Sequence, residues 1–83
     1  MDTLKEAIRV LEEVLSLDGR SARFTRETRL LGSVPEFDSM AVVSLITAME
    51  EQFGIVVDDD EIDAAVFETV GTLVEFVDRK LDG

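Results

Sequence analysis

The sequence of 83 residues contains no cysteine, histidine, tryptophan or tyrosine, and only one proline. Without cysteine, the chain has no disulfide framework, no thiolate nucleophile and no thiolate metal site. Without histidine, it lacks the commonest general base and transition-metal ligand of proteins. These absences argue against most catalytic chemistry. We therefore predict that the chain is not an enzyme and has no catalytic residues.

Positive charge is missing from a long central part of the chain. No Lys or Arg lies between Leu30 and Asp78, where twelve residues are acidic, and the formal net charge is −11. Such a surface repels phosphate backbones and anionic lipid but attracts basic protein surfaces. We predict partners with basic docking surfaces, no nucleic acid and no membrane insertion.

Long hydrophobic runs are also absent, because no apolar stretch approaches the length of a membrane span. The segment Met1–Glu6 lacks the basic and apolar regions of a signal peptide. We therefore predict a cytoplasmic location. The length predicts one domain over residues 1–83, which we expect to be a monomer.

Apolar residues recur at helical spacing in three stretches that follow capping residues. The predicted helices are Thr3–Leu17, ended by Asp18-Gly19, then Ser39–Phe53, ended by Gly54, and finally Thr69–Leu81. The acidic run Asp58–Val66 predicts a short helix, and residues 20–37 predict a long first loop. The predicted fold class is all-α: a small four-helix bundle of three main helices and one short helix.

Side chains at the inner helical positions are expected in the core, together with anchors from the first loop and a buried connector at Ile55–Val57. The main inner positions are Leu4, Ile8, Leu11, Leu15, Val42, Leu45, Ile46, Met49, Phe53, Ile62, Ala65, Val66, Val70, Leu73, Val74, Val77 and Leu81, and the loop anchors are Phe24, Leu30, Leu31, Val34 and Phe37.

The run Asp58–Asp63 resembles a calcium loop only superficially. An EF-hand loop needs oxygen ligands at alternate positions and glycine at the sixth, whereas Ile62 and Asp63 occupy the fifth and sixth here. We interpret the run as an acid-rich helix start and predict no metal site. The pair Glu50-Glu51 has no nucleophile or metal nearby in sequence, so it predicts a solvated or docking face rather than acid–base chemistry.

The helix that begins at Ser39 is the most informative stretch. Either Asp38 or Ser39 can cap it, and Met40 falls on its polar stripe, which leaves a large apolar side chain facing water. Ser39 has no histidine to activate it as a nucleophile. From these residues alone, it is either a plain cap or a site for a phosphate, which the amides and dipole of a helix N-terminus favour.

Five short motifs follow one another along nearly the whole chain: Leu30-Leu31-Gly32, Asp38-Ser39-Met40, Met49-Glu50-Glu51-Gln52-Phe53-Gly54, Asp58-Asp59-Asp60-Glu61-Ile62 and Thr69-Val70. In their order and spacing, the chain resembles the acyl carrier proteins. The resemblance implies that Ser39, within the Asp38-Ser39-Met40 motif, carries a covalent 4′-phosphopantetheine arm whose thiol holds acyl groups. It also implies docking through Met40, Val43, Glu50 and Glu51, and an acyl chain sheltered among Leu45, Ile46, Ile62 and Leu73.

The implied partners are a phosphopantetheinyl transferase, an acyl-CoA or amino-acid ligase, and acyltransferases. Family members often carry carboxylates two and five residues after the serine, where this chain has Ala41 and Ser44, and a glycine where it has Glu36. The stretch Leu31–Val43 is most similar to carriers of bacterial exosortase and exopolysaccharide clusters. That similarity implies a dedicated ligase rather than bulk fatty-acid synthesis.

Two alternatives to an acyl carrier remain open from the sequence. One is an aminoacyl or peptidyl carrier with the same arm and a different cargo. The other is a noncovalent acidic helical adaptor in which Ser39 only caps its helix. The mass of the protein from a host with a phosphopantetheinyl transferase distinguishes a carrier from an adaptor.

Overall fold

The computed structural model describes residues 2–17, 19–30 and 38–82, without the side chains of Arg20, Ser39 and Asp59. Three α-helices form the fold in these ranges: α1 (Thr3–Leu15), α2 (Ser39–Phe53) and α3 (Val70–Asp82). Three short 3₁₀ turns accompany them, and no strand occurs in the described ranges beyond one isolated bridge between Arg29 and Thr69. The predicted all-α class is confirmed.

Helix α1 ends earlier than predicted, at Leu15 rather than Leu17. Ser16 adopts the left-handed conformation, with φ of 52°, and its N–H donates to the carbonyl oxygen of Glu12. A residue in this conformation ends a helix by satisfying a terminal carbonyl. Asp18, which the sequence suggested as part of the stop, lies outside the described residues. At the other end, Asp2 is the cap and accepts a hydrogen bond from the Lys5 N–H at 3.3 Å.

The core lies where α1 contacts both α2 and α3. Its apolar side chains come from the inner faces of the helices and from the two segments that connect them. The buried members are Ala7, Val10, Leu11, Leu15, Leu17, Leu30, Leu45, Met49, Phe53, Ile55, Phe67, Val70, Leu73, Val74 and Val77. Leu81, predicted for the inner face of α3, is instead 40% exposed because it lies near the helix end.

The first loop is held against the start of α3 by backbone hydrogen bonds. The N–H groups of Val70 and Gly71 donate to the carbonyls of Thr28 and Arg26, at 2.9 and 2.8 Å. These bonds satisfy amides that a helix N-terminus leaves without intrahelical partners. Leu30 is fully buried and Phe24 is half-buried, as predicted, whereas the anchors Leu31, Val34 and Phe37 lie outside the described residues.

The short helix predicted over Asp58–Val66 is confirmed only in part. Two 3₁₀ turns, Asp59–Glu61 and Ala64–Phe67, take its place. Asp63 separates them because its backbone is extended and its side chain caps the second turn by accepting from the Ala65 N–H at 2.8 Å.

The side chains of this region are also less buried than predicted. Ile62 is 39% exposed and Ala65 is exposed, although both were expected to face inward. In the connector before the turns, Ile55 is buried but Val56 is 71% exposed. Fewer apolar side chains therefore fasten this region than the sequence pattern indicated.

Candidate functional site

The start of α2 has a well-defined cap, which is Asp38 rather than Ser39. The Asp38 carboxylate accepts a hydrogen bond from the Ala41 N–H at 2.9 Å, and its carbonyl accepts from the Val42 N–H at 3.0 Å. Ser39 is the first residue of the helix. Because the Asp38 side chain already caps α2, the need for a cap does not explain a serine at position 39.

The outer face of α2 beside Ser39 is uncharged and partly apolar. Met40 is 80% exposed and Val43 is 65% exposed, which confirms the solvent-facing methionine predicted from the sequence. Ser44 and Thr47 are also exposed on this face, and no charged residue occurs from Ser39 to Met49. We call the exposed surface of Met40, Val43, Ser44 and Thr47 the arm-side face.

The two glutamates at the far end of α2 have different surroundings. Glu51 is exposed, whereas Glu50 is half-buried, and its Oε2 accepts a hydrogen bond from the Val57 N–H at 3.0 Å. Glu50 therefore holds the chain segment that follows the helix. No pattern in the sequence indicates this contact, because Val57 approaches Glu50 only after the chain reverses at Gly54, which has φ of 66°.

A small apolar cavity lies between α2 and α3, and we call it the seam. Its volume is about 10 Å³, about the space that one water molecule needs. Of the four residues expected to shelter an acyl chain, Ile46 and Leu73 line the seam, while Leu45 and Ile62 do not. The lining residues are Ile46, Met49, Ile55, Val57, Phe67, Leu73, Phe76 and Val77.

A larger, open cleft of about 560 Å³ lies on the outer side of Phe76. One wall carries a bidentate ion pair, in which Lys80 Nζ donates to both carboxylate oxygens of Glu61 at 2.7 and 2.9 Å. The hydrogen bond from Lys80, followed by one from the Asp58 N–H, lowers the pKa of Glu61. Nothing in the spacing of the sequence pairs Lys80 with Glu61.

The structure shows no arrangement for metal chemistry in the part of the chain that it describes. No group of three or more His, Cys, Asp or Glu side chains among those residues is placed to hold a metal ion. The helices in the same ranges are too short or too polar to cross a bilayer.

Comparisons with known proteins converge on one family. A family model described as "Phosphopantetheine attachment site" matches residues 5–77. An acyl carrier protein of Thermotoga maritima is 31% identical over 72 residues, which cover 87% of this chain and 83% of that protein. The solution NMR structure of a holo acyl carrier protein from Nitrosomonas europaea is similar over 100% of both chains, with a TM-score of 0.92 and 49% identity.

Proposed function

Because the chain belongs to the phosphopantetheine-binding acyl carrier proteins, we propose that Ser39 is the residue that carries its prosthetic arm. The protein is a carrier rather than an enzyme, and its cofactor is covalently bound 4′-phosphopantetheine. The arm supplies a thiol, which the sequence of the chain itself lacks. In the proposed modification, a phosphopantetheinyl transferase transfers the phosphopantetheine of coenzyme A to the Ser39 hydroxyl oxygen. The new phosphodiester bond replaces the pyrophosphate bond of coenzyme A, so adenosine 3′,5′-bisphosphate leaves and the hydroxyl proton is released.

The observation that carries this assignment is the cap at Asp38. The Asp38 carboxylate accepts a hydrogen bond from the Ala41 N–H and caps the helix, so Ser39 is not needed as a cap. The adaptor alternative, in which Ser39 only caps its helix, therefore does not explain a serine at this position. The first turn of α2 contains no acidic residue, and the positive end of the helix dipole favours a phosphate there. The residues at the start of α2 therefore fit the phosphodiester of the arm.

The direct test is the intact mass of the protein after incubation with coenzyme A and a broad-specificity transferase. Wild type should gain one phosphopantetheine and Ser39→Ala none. Ser44→Ala is the matched control, because Ser44 lies on the exposed face of the same helix and should not affect the gain. Modification of Ser39→Ala, or loss of modification in Ser44→Ala, would falsify the assignment.

We also propose that partners dock on the arm-side face. Contacts between a carrier and its partner enzymes are small and transient, so a few apolar side chains determine the affinity while charge determines the encounter rate. Met40 and Val43 supply the exposed apolar surface closest to Ser39 in the chain. Glu51 supplies distal charge, and Glu50 contributes less than the sequence suggests because its carboxylate already binds the Val57 N–H.

The proposed partners are the transferase, a dedicated acyl-CoA or amino-acid ligase, and acyltransferases with basic docking surfaces. The neutral residues Ala41 and Ser44 support a dedicated ligase over the enzymes of bulk fatty-acid synthesis, as in the exosortase and exopolysaccharide carriers that the sequence resembles. Ala41→Asp with Ser44→Glu should improve acyl transfer by fatty-acid synthase enzymes. Unchanged transfer would contradict this view of partner choice.

For the cargo, we propose an acyl chain that enters the seam between α2 and α3. Ile46 lies two turns after Ser39, about 10 Å along the helix axis, so the seam begins within reach of a flexible arm. The seam must widen to take a chain, because its present volume is about 10 Å³. The two 3₁₀ turns within residues 59–67 would then act as the short fourth helical element of the bundle.

The protein is further proposed to act as a monomeric carrier domain over residues 1–83 in the cytoplasm. A net charge of −11 makes copies repel one another, which supports the monomer. Light scattering behind a sizing column should give the monomer mass at low and at physiological salt. A dimer mass at either salt concentration would overturn this proposal.

A further inference from the structure

Residues 57–67 cover the seam, and we call them the cover segment. Polar side chains fasten it at three points. Glu50 Oε2 accepts from the Val57 N–H at 3.0 Å, Lys80 Nζ binds Glu61 at 2.7 Å, and Thr72 Oγ1 donates to the Val66 carbonyl at 2.9 Å. The cover segment is therefore tied to both α2 and α3.

Few apolar side chains of the cover segment are buried. Phe67 is its only buried side chain among those that the structure describes, while Val57 and Val66 are half-buried. Ile62 and Ala65 are exposed. A segment with few buried apolar contacts is among the first parts of a fold to open.

Phe76 is the wall between the seam and the outer cleft. It lines the seam, of about 10 Å³, and also the cleft of about 560 Å³ that contains Glu61 and Lys80. An outward movement of the cover segment from α3 at this wall would connect the two spaces. The Glu61–Lys80 pair joins the cover segment to α3 at this wall and therefore opposes that movement.

We propose that the Glu61–Lys80 ion pair is a latch that sets the minimum length of acyl chain the seam accepts. This inference rests on the proposed carrier function. Opening the latch has a fixed cost, whereas each methylene that enters the seam adds apolar burial. A chain therefore enters only above a threshold length, and a weaker latch lowers that threshold.

The pair has the properties that a reversible latch requires. The side chains of Lys80 and Glu61 retain 24% and 32% exposure, so water can solvate both charges when they separate. Ion pairs this exposed contribute modestly to stability, and the latch can therefore open without unfolding the helices. Arg79, the adjacent cation, makes no ion pair within the described residues and offers a matched control.

The first experiment measures amide hydrogen exchange in the cover segment of the protein without its arm. Lys80→Met should raise exchange across residues 57–67 by about two- to fivefold, the effect of losing one partly exposed pair. Arg79→Met removes the same charge from the next position and should change exchange by less. Glu61→Gln, which keeps an acceptor for the Asp58 N–H, should behave like Lys80→Met.

The second experiment measures the rise in melting temperature when the arm carries butanoyl, octanoyl, dodecanoyl or hexadecanoyl groups. In wild type and Arg79→Met, the rise should begin at the same chain length, and in Lys80→Met it should begin at a shorter one. The same onset in all three proteins would overturn the latch.

The exchange experiment also separates the two proposals. It requires no arm, so it still tests the latch if Ser39 proves not to be the attachment site. Equal exchange in Lys80→Met and Arg79→Met shows that the pair does not hold the cover segment, whatever Ser39 carries.

Discussion

The three helices and the cover segment are held in place by different kinds of interaction. Helices α1, α2 and α3 meet through apolar side chains such as Leu11, Leu45 and Val74, none of which exposes any surface. The cover segment has one buried side chain among those described, Phe67. It depends on the hydrogen bond that its Val57 N–H donates to Glu50 and on those that it accepts from Thr72 and Lys80.

This difference matches the two tasks that a carrier performs. If the arm is attached at Ser39 as proposed, the helices must present that residue to each partner in the same geometry, and buried apolar contacts give a unique, rigid arrangement. The cover segment must move if cargo is to enter the seam. Polar contacts at a partly exposed site can be exchanged for water at small cost, so they allow movement without loss of the fold.

The largest expected effect compares one apolar residue from each region. Leu45→Ala removes a fully buried side chain between the helices and should lower the free energy of unfolding by about 2–5 kcal/mol. Ile62→Ala, in the cover segment and 39% exposed, should change it by about 0.5 kcal/mol or less. Urea unfolding of both variants measures these values, and equal losses would show that the cover segment is also held by packing.

The next effect concerns the contact between α3 and the first loop. A Cβ added at Gly71 would lie 2.8 Å from the Arg26 carbonyl oxygen, which also accepts the Gly71 N–H. Gly71→Ala should therefore destabilise the fold by about 1–3 kcal/mol, although alanine normally favours a helix. Glu75→Ala, at an exposed position of the same helix, is the control for helix propensity. If the Gly71→Ala variant is more stable than wild type, the first loop moves away from the added Cβ at little cost in free energy.

A third prediction separates apolar grip from charge on α2. Met40→Ala should slow loading by the cognate ligase about tenfold at every salt concentration, because it removes exposed apolar surface beside Ser39. Glu51→Lys should slow loading about two- to fivefold at low salt only, since screening weakens distal charge. The measurement is loading rate against ionic strength.

The outcome of that experiment also tests how Glu50 acts. Glu50→Gln keeps an oxygen that can accept from the Val57 N–H and should load like wild type at physiological salt. If the Glu51→Lys variant is loaded at the wild-type rate in low salt, partners do not recognise charge at this end of α2. A Met40→Ala effect confined to low salt would likewise contradict an apolar grip.

The smallest effect is electrostatic and is read by carboxyl NMR titration. The hydrogen bond from Lys80 lowers the pKa of Glu61, and the hydrogen bond from the Ser21 hydroxyl is the main cause that lowers the pKa of Glu12. A lowered folded-state pKa means that each contact stabilises the fold at neutral pH. This stabilisation is lost as the pH falls through the folded-state pKa. Lys80→Met should raise the pKa of Glu61 and leave that of Glu12 low. An unchanged Glu61 would show that Lys80 does not bind it in solution.

The parts of the structure that sequence predicted well are those governed by local rules. Periodicity identified the inner face of α2, where Leu45, Met49 and Phe53 are buried, and Gly54 ends the helix in the left-handed conformation. The exposure of Met40 followed from the same periodicity. Capping rules limited the cap of α2 to Asp38 or Ser39, and the hydrogen bond from the Ala41 N–H to the Asp38 carboxylate distinguishes the two.

The parts that sequence missed depend on contacts between distant residues. Glu61 and Lys80 are 19 positions apart, and their pairing follows from how the cover segment crosses α3. The predicted short helix is divided into two 3₁₀ turns because Asp63 caps the second turn with its side chain, a local competition that the acidic composition concealed. Glu50 looked like a free surface charge because sequence does not show where Val57 returns to α2.

The central claim is that the arm is attached at the first residue of α2. Fragment-ion mass spectrometry of the modified wild-type protein tests it without any substitution. We predict that the phosphopantetheine mass is found on fragments that contain Ser39 and on no fragment that lacks it. A label on Ser44 or on any other serine would contradict the account.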